Sequence, residues 1–126
     1  MAQSDCGVFP SRAEGWNLEA LEMMSCGKQV IATNYSAHTE FCSDSNSLLV
    51  DIDSTEDAFD GKWFKGQGKW AKIDNEQVLD ISNHMKNVYE QKRAGKDLTN
   101  KEGINTAKEF SWENTAREIV SSLSLG

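Results

Sequence analysis

The chain begins with a short apolar run followed by a helical pattern. Val8 and Phe9 predict a strand, and the proline at position 10 ends it. After a polar turn, residues 18–25 repeat their apolar side chains at helical spacing and predict a helix. The face expected to be buried carries Leu18, Leu21 and Met24, or Ala20 with Met24. Glycine at position 27 stands where helices commonly end.

A second apolar run at residues 30–33 has the β-branched composition of a strand and no polar alternation. A strand of this kind is expected where both faces of a parallel sheet are covered. Strand, helix and strand at this length make one βαβ unit with a right-handed crossover. A third strand is predicted at residues 47–51. The fold class is therefore α/β: a partial Rossmann-like domain with about three short parallel strands flanked by helices.

The second half of the chain predicts three helices, at residues 75–91, 99–110 and 113–123. The buried face of the first is expected to carry Val78, Ile81, Met85, Val88 and Tyr89. Residues 60–72 contain three glycines and two tryptophans, which favour an irregular loop or a hairpin. We interpret Trp70 in this connection as a packing residue.

Composition limits the classes of function. The 126 residues carry a net charge of −7, which fits one small domain and argues against nucleic acid or an anionic membrane as partner. No apolar run is long enough to predict a membrane span, and the N-terminus has no signal-peptide pattern. The three cysteines are interpreted as buried, reduced thiols, so a cytoplasmic protein is expected.

The turn before the first helix carries the candidate chemistry. Glu14 lies in that turn, and Glu22 lies about one turn inside the helix, with seven residues between them. A helix N-terminus preceded by glycine offers free N–H groups and the positive end of the helix dipole, which together bind anions. We expect the N–H groups of Trp16, Asn17 and Leu18 to be the donors. One ligand could then place a diphosphate over them, a sugar hydroxyl at Glu14 and a ribose at Glu22.

Other polar residues give weaker signals. Asp51 and Asp53 form an Asp-x-Asp pair, but the pattern lacks the glycine and the closing glutamate of a calcium loop. We interpret residues 51–60 as a solvated acidic surface and predict no metal site. Ser36 is expected to cap a short helix after the second strand. His38 is interpreted as a surface histidine rather than a catalytic base.

Residues 10–33 read PSRAEGWNLEALEMMSCGKQVIAT. This stretch resembles the donor-site motif of the retaining, nucleotide-sugar-dependent glycosyltransferases of the GT-B type, the group 1 family. The resemblance implies that Glu14 contacts the transferred sugar and that Glu22 binds the ribose hydroxyls. It also implies that the diphosphate lies at Gly15 and on the amides of Trp16, Asn17 and Leu18.

Three positions depart from the family pattern. At Trp16, Asn17 and Glu19 the family more often has another aromatic residue, a glycine and an apolar residue. Asparagine tolerates the unusual backbone angle that glycine would adopt, so the loop is expected to keep its conformation. Glu19 adds a third carboxylate near the anion site and leaves the donor preference open.

The resemblance also implies a domain assignment. GT-B enzymes have two Rossmann-like domains, and residues 1–126 are expected to be a fragment of the C-terminal one, without its first strands and without the acceptor domain. Residues 2–7 resemble the lead into that domain's fourth strand. The expected function is binding of a nucleoside-diphosphate sugar for retaining transfer to a hydroxyl of a sugar, lipid or protein acceptor. The implied enzyme is a hexosyltransferase without a cofactor, and the fragment alone is expected to be inactive.

Two other interpretations stay open at this point. The first is a non-catalytic module that forms a homodimer, or pairs with a companion polypeptide, through an open sheet edge. The second is a different nucleotide-binding α/β enzyme. The second is weakened because the chain has neither a Gly-x-Gly-x-x-Gly motif nor a phosphate loop ending in Gly-Lys-Ser/Thr.

Overall fold

The computed structural model describes residues 1 and 3–123. Within them, three strands form a parallel sheet in the order β1–β2–β3, which confirms the predicted fold class. Their bounds are β1 Cys6–Phe9, β2 Gln29–Thr33 and β3 Leu48–Val50. Residue 2 of the lead expected at residues 2–7 lies outside the described residues.

The helices begin and end close to the predicted positions. They are α1 Leu18–Ser25, α2 Asn75–Arg93, α3 Lys101–Glu109 and α4 Trp112–Leu123. Gly27 follows α1 with φ of 67°, a left-handed conformation that glycine adopts at little cost, and this confirms the predicted cap. A short 3-10 helix, Ser36–Glu40, follows β2.

The core lies on both faces of β2. Val30 and Ala32 pack with α1, whereas Ile31, which alternates with them, points to the opposite face and is also buried. Helix α1 contacts β1, β2 and α3, and α2 contacts all three strands of the sheet. The apolar run without alternation therefore predicted a doubly covered strand correctly.

A separate antiparallel hairpin, β4 Thr55–Phe59 with β5 Lys65–Ala71, follows the sheet. The hairpin alternative for residues 60–72 is thus confirmed, but part of the supposed acidic surface at residues 51–60 forms a strand. The sequence did not predict this strand because Glu56 and Asp57 within it are exposed. A two-stranded hairpin leaves much of each strand in solvent, so its strands can carry charged residues. Arg12 joins the hairpin to the sheet: its backbone O accepts from Ala71 N at 2.7 Å, and its Nε donates to Ala71 O at 3.1 Å.

Two predicted helix faces need correction. In α1 the predicted Ala20, Leu21 and Met24 are buried, together with Met23, but the predicted Leu18 is 54% exposed. In α2 the predicted Val88 is buried and Ile81 is half-buried, but Val78, Met85 and Tyr89 are exposed. Gln77, which was not predicted, is also buried. The face of α2 is rotated toward polar residues because Gln77 donates to Asp51 O at 3.3 Å and to Asp53 Oδ2 at 2.9 Å. His84 on the same face hydrogen-bonds Leu49 O at 2.9 Å.

Asn100 links α3 to the middle of the fold. It is the N-cap of α3, and its Oδ1 accepts from Gly103 N at 2.8 Å. Its Nδ2 donates to Asn46 O at 2.8 Å and to Lys28 O at 3.1 Å. One buried amide therefore caps a helix and also crosslinks two connecting segments of the sheet.

Candidate functional site

Asn17, which precedes α1, adopts a left-handed backbone conformation, the kind of unusual angle that asparagine was expected to tolerate here. Asn17 has φ of 71° and ψ of 71°, and its Oδ1 accepts from Ala20 N at 3.2 Å as the N-cap. Within the described residues, no hydrogen bond occupies the backbone N–H groups of Trp16, Asn17 and Leu18. These three donors, at the positive end of the helix dipole, are available to an anion.

Glu14 is half-buried and held from two sides. Ser11 Oγ donates to Glu14 Oε1 at 2.7 Å, and the backbone N–H of Glu14 donates to Ser36 Oγ at 2.9 Å. The prediction that Ser36 caps its own helix is wrong, because the structure gives the 3-10 helix no side-chain cap and turns this hydroxyl toward Glu14. Thr33 Oγ1 donates to Ser11 O at 2.6 Å, so β2 supports the whole turn.

A cavity of about 660 Å³ opens beside Glu14 and Gly15. Its far wall is the β4–β5 hairpin, which contributes Phe64, Gln67, Gly68, Lys69 and Trp70. A Cβ built on Gly15 would meet no described atom within 4 Å, so the loop leaves room for a ligand. The cavity has the dimensions of a small-molecule site.

Trp70 packs as predicted, against Phe64 at 5.2 Å between ring centroids and beneath the Arg12 guanidinium at 4.8 Å. Arg12 also pairs with Glu56. Because both side chains of this ion pair are substantially exposed, its contribution to stability is small. Trp70 also faces the cavity beside Glu14, a position that the sequence did not indicate.

Glu22 lines a different cavity. This one has a volume of about 540 Å³ and is walled by aromatic side chains from three elements, Trp16, Phe110 and Trp112. The two sets of lining residues share no member. A ligand that contacts both glutamates must therefore cross the N-terminus of α1, where the unoccupied N–H groups lie.

The sequence missed His38. The prediction of a surface histidine is wrong, because the side chain is fully buried at 0% exposure. Its Nδ1 lies 2.9 Å from Thr33 O, and its Nε2 lies 2.8 Å from Asn17 Nδ2. Hydrophobic periodicity assigns a lone histidine to the surface, and the contact with a residue 21 positions earlier is purely tertiary. No local signal could have found it.

Comparison with known protein families finds a match in the first half of the chain. Residues 1–61 match the family model described as Glycosyl transferases group 1. The matched residues make up just under half of the chain. The resemblance drawn from the motif is thereby confirmed at the level of the family, while the roles of individual residues stay predictions.

One curated relative is similar over most of the chain. The O-antigen chain mannosyltransferase B of Escherichia coli is 26% identical over 118 residues, covering 94% of this chain and 24% of that protein. The chain thus spans about a quarter of the length of this relative. The search of solved structures found no match.

The matched residues 1–61 contain both glutamates, the capping asparagine and His38. Among residues 1 and 3–123, no three His, Cys, Asp or Glu side chains are placed to hold a metal ion. Asp51 and Asp53 are engaged instead, with Asn34 Nδ2 and Gln77 Nε2 respectively. No helix of the described chain has the length and apolar character needed to cross a membrane.

The cysteines allow a direct test of the environment around the site. All three are free, and the expectation that all are buried is wrong, because Cys26 is exposed. Burial raises the pKa of the Cys6 and Cys42 thiols, and the neighbouring Asp5 carboxylate raises the pKa of Cys6 further.

We therefore expect a thiol reagent at pH 7 to modify Cys26 first and Cys42 only slowly, since the reactive thiolates of the other two require a higher pH. Peptide mass spectrometry over time would measure each site, and labelling of Cys6 and Cys42 should accelerate as the pH rises to 9. Equal labelling rates for the three cysteines in the folded protein would contradict this arrangement.

Proposed function

We propose that this chain binds a nucleoside-diphosphate sugar as the donor in retaining transfer of a glycosyl group to an acceptor hydroxyl. The observation that carries the proposal is the unoccupied N-terminus of α1, flanked by a glutamate on each side within a group 1 glycosyltransferase segment. The N–H groups of Trp16, Asn17 and Leu18 would hold the diphosphate. Glu14 would orient the sugar, and Glu22 would bind the ribose hydroxyls.

In the proposed reaction the bond between the sugar and the diphosphate breaks while an acceptor hydroxyl attacks the same face of the sugar, and the hydroxyl proton passes to an oxygen of the leaving diphosphate. Negative charge builds on the leaving nucleoside diphosphate, and the helix N–H groups would stabilise it without reorganising. Glu14 and Glu22 would act by holding the two ends of the donor in register. The proposal assigns no step to a metal ion or cofactor.

The curated relative narrows the first substrates to test. That relative is an O-antigen chain mannosyltransferase, so we propose a mannose donor and a sugar-chain hydroxyl as acceptor for this chain. We propose donor binding, rather than the complete transfer, as the activity of these 126 residues by themselves. Transfer also requires an acceptor site, and this proposal assigns the cavities beside Glu14 and Glu22 to the donor. We also propose that the protein is cytoplasmic.

Titration of the full chain with UDP and GDP, followed through the indole signal of Trp16 by NMR, tests the proposal. The Glu22→Ala variant is expected to bind at least about tenfold more weakly, because a carboxylate hydrogen bond contributes roughly 1.5–3 kcal/mol. Glu19→Ala is the matched control, since Glu19 is an exposed carboxylate on the same helix that lines neither cavity.

Binding should also fall when the diphosphate is replaced by a monophosphate. If neither nucleoside diphosphate shifts the Trp16 signal at millimolar concentration, the donor assignment fails. If Glu19→Ala and Glu22→Ala weaken binding equally, the effect is one of overall charge, and the ribose role of Glu22 is wrong.

A second function is favoured by a different observation. The described residues of α4 include none that is buried, and Trp112, Ile119 and Leu123 lie exposed along it. Strands β1 and β3 are the outer strands of the sheet. We propose that these surfaces associate with a second copy of the chain. The solution mass by light scattering decides: a monomer at 100-fold varied concentration would exclude self-association.

A further inference from the structure

The side-chain amide of Asn17, the N-cap of α1, forms hydrogen bonds through both its oxygen and its nitrogen. Asn17 Oδ1 accepts from Ala20 N at 3.2 Å, and Asn17 Nδ2 lies 2.8 Å from His38 Nε2. The backbone of Asn17 is in the left-handed region, which a side chain disfavours and a glycine accepts freely. The amide contacts therefore hold Asn17 in a conformation that asparagine tolerates but adopts less readily than glycine.

His38 can accept this hydrogen bond only in one protonation state. Its Nδ1 faces Thr33 O at 2.9 Å, an acceptor without a proton, so Nδ1 carries the hydrogen. Nε2 then has a free lone pair and accepts from Asn17 Nδ2. The ring is neutral, fully buried and packed edge-on against Phe41 with centroids 6.2 Å apart. A chain of bonds thus runs from the end of β2, through His38, to the N-terminus of α1.

We propose that His38 is a positioning residue for the diphosphate-binding N-terminus of α1, acting through the side chain of Asn17. The inference rests on the proposed function, since the N–H groups it orients are those assigned to the diphosphate. His38 touches no ligand. It holds Asn17 in the left-handed conformation and so fixes the N–H groups of residues 16–18, which lie between Glu14 and Glu22 in the chain.

Two conservative variants separate positioning from general packing. In His38→Asn the shorter amide reaches the Nδ1 position, so it keeps the bond to Thr33 O and loses Asn17. In His38→Gln the longer side chain brings an amide oxygen to the Nε2 position, where it accepts from Asn17. We expect His38→Asn to weaken binding of GDP or UDP, whichever the chain binds, by about five- to tenfold. His38→Gln should stay within about twofold of the wild type.

The decisive comparison repeats His38→Asn and His38→Gln in a protein that also carries Asn17→Gly. Glycine adopts the left-handed conformation without a side-chain anchor, so the two His38 variants should then bind the nucleotide equally. Thermal melts establish that each variant is folded at the titration temperature. The proposal is overturned if the two His38 variants differ in nucleotide affinity in the Asn17→Gly background. It is also overturned if they bind the nucleotide equally when Asn17 is present.

A nucleotide-independent readout distinguishes failure of this proposal from failure of the proposed function. The ring ¹⁵N shifts of His38 should identify a neutral imidazole with the proton on Nδ1 at pH 7. The backbone amide signals of residues 16–18 should move in His38→Asn and remain near their wild-type positions in His38→Gln. If these signals behave as expected while no nucleoside diphosphate binds, the donor assignment fails and the positioning contact stands. A ring protonated on Nε2 would refute the contact itself.

Discussion

Replacing Asn100 by alanine is expected to lower the free energy of unfolding by about 3 kcal/mol or more. The change removes an N-cap, which is typically worth about 1 kcal/mol. It also leaves the carbonyl groups of Asn46 and Lys28 without their donor, and an unsatisfied buried polar group costs about 1–3 kcal/mol. Because small domains are stable by only about 5–15 kcal/mol, urea denaturation followed by circular dichroism would measure the loss easily.

The capping and crosslinking roles of Asn100 are separable. Aspartate is as good an N-cap as asparagine in general, so Asn100→Asp would be nearly neutral if capping were the whole role. In this structure it should destabilise at least as much as alanine, because a carboxylate oxygen would face two carbonyl oxygens. Asn87→Ala, on the exposed face of α2, is the control and should change stability by no more than about 0.5 kcal/mol. A stable Asn100→Asp protein would contradict the crosslink.

Phe41→Ala is expected to cost about 3–5 kcal/mol of stability and to weaken nucleotide binding as well. Phe41 is 5% exposed, and its ring packs against Trp16 at 5.5 Å and Phe110 at 6.2 Å between centroids. Truncating a buried phenylalanine leaves a cavity with a cost in this range. Trp16 rests on this ring and lines the cavity of Glu22, so the site should loosen with the core.

Urea denaturation and the Trp16 indole signal would measure the two consequences separately. Phe59→Ala is the matched control, since Phe59 is 66% exposed at the end of β4 and should change stability by no more than about 0.5 kcal/mol. If Phe41→Ala destabilised the protein while the Trp16 signal and nucleotide affinity stayed unchanged, the aromatic cluster would be a packing feature alone.

The βαβ unit was the most predictable part of the fold. The predicted helix at residues 18–25 coincides with α1, and the predicted glycine cap has the expected backbone conformation. These signals are local: apolar spacing, a proline after the strand and a glycine after the helix act within a few residues. The family was predictable for the same reason, since its motif is one continuous stretch of sequence.

The buried faces were less predictable. Helix α2 buries Gln77 rather than Val78, because Gln77 finds acceptors at Asp51 and Asp53 in the connection after β3. A periodicity argument assumes that polar residues face solvent. It fails where a backbone carbonyl or carboxylate from a distant part of the chain accepts a hydrogen bond from a polar side chain, because this bond offsets the cost of burying that side chain.

The sequence alone determined the element order, the parallel α/β class, the left-handed tolerance of Asn17 and the group 1 glycosyltransferase motif with its two glutamates. Only the tertiary structure decided that Glu14 and Glu22 line separate cavities, that the hairpin walls one of them, and that His38 anchors the cap of α1. Helix and strand signals arise from neighbouring residues. A cavity wall or a buried hydrogen bond joins residues far apart in the chain, and their meeting depends on how the completed elements pack.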